Sequence, residues 1–72
     1  MFNYKDTLPQ RLKYYRKKYG YTQEEIAKKL KMKQSSYANW EAGFRQPNIE
    51  KFFQIADIYE TSADSLAGRT DI

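Results

Sequence analysis

The chain has no cysteine, so neither a disulfide nor a thiolate metal site is available to it. Histidine is absent too, which removes the commonest general base and the commonest metal ligand. A catalytic centre would have to rest on carboxylates, lysines or hydroxyls. The serines Ser35, Ser36, Ser62 and Ser65 have no base to activate them, and the paired acids Glu24 and Glu25 read as helix-capping groups. No enzyme is expected, and no metal or cofactor. No apolar run approaches the roughly 20 residues of a membrane-spanning helix. The opening Met1-Phe2-Asn3-Tyr4-Lys5-Asp6 lacks the apolar stretch of a secretory signal. A soluble, cytoplasmic protein with no membrane partner is therefore expected. Proline and glycine number two and three, and they act only as punctuation.

What is present is charge, unevenly placed. The net charge of +4 conceals a basic first half, with ten Lys and Arg against three acids over residues 1–33. Residues 34–72 carry three basic side chains against six acidic ones. Such a division suggests a polyanion on one side, although a solvated lysine-rich helical surface has the same composition. At 72 residues the chain is read as one domain, 1–72, with a core over about 8–67, near the lower limit for a fold held by a single core.

Helix signals recur along the whole length, and no segment alternates with the period of a strand. A first helix is expected from near Thr7, where Thr7 and Gln10 fit a capping box and Pro9 falls in the first turn. Leu8, Leu12, Tyr15 and Tyr19 form its inner face, and Gly20 stops it. Thr22-Gln23-Glu24-Glu25 is a clearer capping box, with Tyr21 and Ile26 placed as a hydrophobic staple. It opens a short second helix ending near Leu30. The turn Lys31-Met32-Lys33 leads to a third helix from about Gln34 to Ala42, with Tyr37 and Trp40 inward and Gly43 closing it. Pro47 makes Phe44-Arg45-Gln46 a loop. Asn48 caps a fourth helix running to about Tyr59, with Ile49, Phe52, Ile55, Ala56 and Tyr59 inward. Ser62 caps a short fifth, ending on Leu66. The fold class is all-α.

Two helices joined by a three-residue turn are an ordinary helical hairpin until their spacing is counted. From Gln23 as position 1, a small residue falls at 5 (Ala27), where two helices must touch. Apolar residues fall at 4, 8, 10, 15 and 18: Ile26, Leu30, Met32, Tyr37 and Trp40. That pattern pins the third helix steeply across the second and frees its N-terminal outer face to enter a major groove.

In these residues the chain resembles the Cro/CI-type (XRE-like) helix-turn-helix family of phage repressors and their bacterial relatives. The likeness is carried by Thr22-Gln23-Glu24-Glu25-Ile26-Ala27-Lys28-Lys29-Leu30, by Tyr37, by Trp40-Glu41-Ala42-Gly43 and by Pro47. Ile49 to Leu66 is similar to the family's fourth and fifth helices. The resemblance implies a compact five-helix, lambda-repressor-like DNA-binding domain with its helix-turn-helix at helices 2 and 3. Three positions depart from the pattern. Lys31 and Glu60 stand where the family has glycine, and Lys33 stands where a Ser or Thr usually caps the recognition helix.

The same resemblance assigns roles. Gln34, Ser35 and Asn39 lie where the family reads base edges, and Gln and Asn side chains can pair bidentately with adenine. Gln23, Lys31, Lys33, Arg45 and Gln46 lie where it meets phosphates. Ser36 and Ala38 flank the reading face. Arg16 and Glu41 stand at positions that pair as a structural ion pair in the family. The seven tyrosines invite a single-strand stacking role, but their helical spacing places most in the core, with Tyr14 the exposed exception.

The implied function is sequence-specific double-stranded DNA binding in transcriptional regulation, as a homodimer on a palindromic operator. A module that docks onto a partner repressor protein is the alternative. Its motivation is a third helix without basic residues beyond Lys33, together with Tyr37 and Trp40, which would serve an interface if exposed. A third reading makes these residues the DNA-binding part of a longer protein.

Overall fold

The computed structural model describes residues 1–71, and among them forms α-helices and no strand. In chain order these are α1 (Tyr4–Lys18), α2 (Gln23–Lys29), α3 (Gln34–Glu41), α4 (Ile49–Ile58) and α5 (Ala63–Ala67). Ile72, the last residue of the expected domain, lies outside the described residues.

Helix α1 begins three residues before the expected start. Asn3 is its N-cap, and the side-chain carbonyl accepts the Lys5 N–H at 3.0 Å. The expected Thr7–Gln10 capping box does not form. Thr7 lies inside the helix and its hydroxyl donates to the carbonyl of Ala67, tying α5 to α1. Pro9 therefore sits beyond the first turn, where its missing N–H removes the usual bond to the Lys5 carbonyl. One lost bond near an exposed helix end is tolerable, and the Asn3 cap offsets part of it.

The contact between α5 and α1 is close. Gly68 adopts φ of 91°, and a Cβ there would stand 2.5 Å from Thr7 Cβ and Oγ1, so glycine is needed for space as well as for backbone conformation. Arg11 adds a second tie, Nη1 donating to the Ser65 carbonyl at 2.6 Å.

The α2 cap forms in both directions: Glu25 N–H donates to Thr22 Oγ1 at 3.1 Å, and Thr22 N–H to Glu25 Oε1 at 2.8 Å. Asn48 caps α4, accepting the Lys51 N–H at 2.8 Å, and Ser62 caps α5, accepting the Ser65 N–H at 3.0 Å. Leu12, Ile26, Leu30, Tyr37, Ile55 and Leu66 reach the centre from all five helices and are essentially inaccessible. α1 packs on α3 and α5, α2 on α3, and α4 on α5. Helix-turn-helix and supporting helices thus share one core.

Two inward assignments fail. Ile49 is 67% exposed, because as the first residue of α4 it stands beyond the packed part of the helix. Tyr19 is 38% exposed and serves as the C-cap of α1, its ring lying against Tyr21 and Tyr59 and its hydroxyl donating to the Tyr59 carbonyl at 2.8 Å. Tyr15 is the tyrosine of α1 that enters the core, stacked on Tyr59 with ring centroids 5.6 Å apart.

Lys31 and Glu60 take up the left-handed conformation their positions require, with φ of 56° and 51°. Each costs about 1–2 kcal/mol relative to glycine, partly offset by the lower chain entropy that a non-glycine residue brings to the unfolded state. Glu60 makes no side-chain hydrogen bond among the described residues. Glu60→Gly is therefore expected to stabilise the fold by a net ~0.5–1 kcal/mol, raising the melting temperature by several degrees. A thermal melt checks this, and an unchanged or lowered midpoint contradicts it.

Candidate nucleic-acid interface

The geometry of α3 follows from what lies behind it. Tyr37 and Trp40 are buried, which fixes the helix's rotation and turns Gln34, Ser35, Ser36 and Asn39 outward, all of them exposed. Ser35 and Asn39 are four residues apart and share one face. The following loop is tied to the helix end: the N–H groups of Phe44 and Arg45 donate to the Asn39 carbonyl at 3.0 and 3.3 Å. As a result Asn39, Arg45 and Gln46 come together, with Ser36 and Trp40, around a shallow cavity of about 350 Å³. The structure thus sets one expected base-reading residue beside two expected phosphate contacts. Gln34 and Ser35 lie apart from that cavity, on the first turn of α3, next to Lys33 and near Lys31 on the exposed turn. The cavity walls of Ser36 and Trp40 carry no expected contact; Trp40's core role hid its second position at the rim.

Glu41 holds this surface in place. It is 4% exposed, the one buried charged residue among those described. Arg16 grips it with two donors, Nε to Oε2 at 2.7 Å and Nη2 to Oε1 at 3.1 Å. The remaining Nη1 of Arg16 donates to the Tyr21 carbonyl at 3.0 Å. Tyr37 donates its hydroxyl to Oε2 at 2.5 Å, and Gln23 its amide to Oε1 at 3.1 Å. One carboxylate therefore joins α1, α2 and α3. Gln23, expected to face a phosphate, gives one amide hydrogen inward to Glu41 and is half-buried. Neither its part nor that of Tyr37 in this cluster has a local signal, since an amide at a helix start and an aromatic on an inner face have commoner explanations.

Burial alone would raise the Glu41 pKa. The hydrogen bonds from Arg16, Tyr37 and Gln23, with the charge of Arg16, outweigh it and hold the carboxylate below its ordinary value of 4.5. Burial, then the hydrogen bond to Glu41, pushes the Tyr37 hydroxyl well above the usual tyrosine range. Folded Glu41 binds its proton more weakly than the unfolded chain does. Its contribution is thus present above about pH 4.5 and lost as pH falls through the folded value. Folded Tyr37 binds its proton more tightly, so its contribution is present below about pH 10 and is lost as pH rises beyond that.

Arg16→Ala is expected to cost about 3 kcal/mol, because it strands a buried carboxylate. The Glu41→Ala change should be similarly harmful, and the double variant far less harmful than the two losses combined. Melts of the three variants check the coupling, with additive losses contradicting it. Glu41→Gln should also flatten the loss of stability between pH 5 and 3, and an acid limb as steep as in the parent protein would exclude Glu41 as its source.

Comparison with known proteins meets this geometry. A family model described as helix-turn-helix matches residues 12–66. The chain is 35% identical over 66 residues to the HTH-type transcriptional regulator ImmR of Bacillus subtilis, covering 92% of this chain and 52% of that protein. It is 37% identical over 59 residues to the HTH-type transcriptional regulator AnsR of the same organism, covering 82% and 51%. With the cryptic phage CTXphi transcriptional repressor RstR of Vibrio cholerae it shares 36% identity over 62 residues, covering 86% and 55%. The chain spans about half the length of these relatives, which are named as regulators and not as enzymes. With five helices among the described residues, the expected helix-turn-helix and these matches, the chain belongs to the Cro/CI-type (XRE-like) helix-turn-helix family of DNA-binding transcriptional regulators.

Proposed function

We propose that this domain binds double-stranded DNA sequence-specifically as a repressor-like regulator, acting as a two-fold dimer on a palindromic operator. The observation that carries the reading is the division of α3. Its aromatic residues are buried, while Gln34, Ser35 and Asn39 stand exposed, the first two beside Lys33 and Asn39 beside the loop whose Arg45 N–H bonds to its carbonyl.

In this reading the amides of Gln34 and Asn39 pair with base edges, adenine by preference, and Ser35 adds a donor or acceptor. Arg45, Gln46, Lys31 and Lys33 meet phosphates, which sets register and affinity without sequence information. Gln23 contributes through the second amide hydrogen that its bond to Glu41 leaves free. Docking onto a partner repressor would draw on Tyr37 and Trp40; Tyr37 is fully buried, and Trp40 reaches the surface only at the rim of the cavity beside Asn39.

Gln34→Ala and Arg45→Ala separate the two kinds of contact. Gln34→Ala is expected to cost ~1–3 kcal/mol on the best site and to flatten preference at one base position. Arg45→Ala should weaken binding to all duplexes alike and make the salt dependence shallower by about one unit. Both should melt within a few degrees of the parent, since neither side chain is in the core. A Gln34→Ala protein with unchanged affinity and preference rejects the assignment; one that instead loses a protein partner points to the docking function.

A further inference from the structure

The turn between α2 and α3 lacks both of its usual supports. Lys31, at φ of 56°, stands in a conformation suited to glycine. Lys33, the N-cap of α3, makes no side-chain capping bond, although Ser, Thr, Asp and Asn are the residues that supply one. The main chain contributes Lys31 N–H to the Lys28 carbonyl and Met32 N–H to the Ala27 carbonyl, both at 3.0 Å. Among the described residues a single side chain from outside bonds to this corner. Lys51, in the first turn of α4, directs its ammonium to the carbonyl of Leu30 at 2.6 Å in a partly buried setting. Leu30 is the C-cap of α2 and directly precedes Lys31.

We infer that Lys51 is a positioning residue for DNA recognition, fixing the helix-turn-helix corner from behind without touching the DNA. The chemistry suits the place. Carbonyls at a helix C-terminus carry partial negative charge, and a hydrogen bond from a charged donor is stronger than one between neutral groups. The Lys51 main chain is itself fixed, since its N–H completes the Asn48 cap. A residue anchored at the start of one helix thus sets the end of another. Held at Leu30, the end of α2 supports the left-handed turn at Lys31 and the start of α3 that follows it. Released, the strained corner has other conformations to relax into, and Gln34 and Ser35, on the first turn of α3, are the residues whose aim would change most.

The inference rests on the DNA-binding reading, so the test pairs a binding measurement with one that needs no DNA. Lys51→Met keeps much of the side chain's length and removes its charge. It is expected to bind the preferred duplex roughly ten-fold more weakly, with an unchanged salt slope, while Lys51→Arg restores most of the affinity. Amide exchange at Met32 should quicken in Lys51→Met while exchange at core positions such as Leu12 stays slow. In the unaltered protein the Lys51 ammonium should give a slowly exchanging nitrogen resonance distinct from those of the exposed lysines. That signal keeps the anchoring bond testable even if Lys51→Met is too unstable to assay. Parent-like affinity and Met32 exchange overturn the inference, as does a salt slope shallower by about one unit, which would place Lys51 on a phosphate. A Lys51 ammonium exchanging like the others also overturns it. If the unaltered protein binds no duplex while both exchange results hold, the DNA-binding reading fails and the corner's anchoring by Lys51 stands.

Discussion

The structure depends above all on one buried carboxylate. Glu41 ends α3, and its two oxygens take donors from α1, from the start of α2 and from α3 itself. A buried charge is costly when it is unpaired, and here four donor contacts satisfy it. Tyr37 uses its buried ring to fill the core and its hydroxyl to complete this cluster. The rotation of α3 is thereby set twice, by packing and by hydrogen bonding. The outward face of α3 is the remainder of that arrangement, so the polar residues offered to a ligand are chosen by what Glu41 and the core hold inside.

In the proposed reading the arrangement also separates affinity from specificity. Lys31, Lys33 and Arg45 are exposed on the turn and loop at the two ends of α3, where charge can meet a phosphate backbone. The helix between them presents neutral amides and hydroxyls, which suit the hydrogen-bonding edges of bases more than the charge of phosphates. The acidic side chains of α4 and α5, Glu50, Asp57 and Asp64, are exposed on other helices. The charge asymmetry along the sequence therefore becomes an asymmetry of elements, with exposed acid on α4 and α5 and a concentration of base on α1.

Much of this was legible in the residues. The Thr22–Glu25 cap, the Asn48 and Ser62 caps and the inward run at Ile26, Leu30, Tyr37 and Ile55 follow from local rules, and the helices appear where those rules put them. The left-handed turns at Lys31 and Glu60 were legible through the family pattern alone, since neither residue announces a positive φ. The start of α1 was misplaced because Thr7-Leu8-Pro9-Gln10 imitates a helix start, while the real cap, Asn3, lies before an unremarkable run. What decided against Thr7 was Ala67, 60 residues away, and no local rule contains such a partner. Gln23 and Lys51 are of the same kind. Each side chain is soluble-looking in sequence and is recruited by a distant acceptor in the fold.

The central claim is that the outer face of α3 reads double-stranded DNA. Selection of bound duplexes from a random pool tests it most directly. The account predicts enrichment of one sequence with two-fold symmetry, with adenine favoured at the positions that Gln34 and Asn39 reach. A pool that stays at its starting composition after repeated rounds at low salt, where charge alone holds DNA, would contradict it.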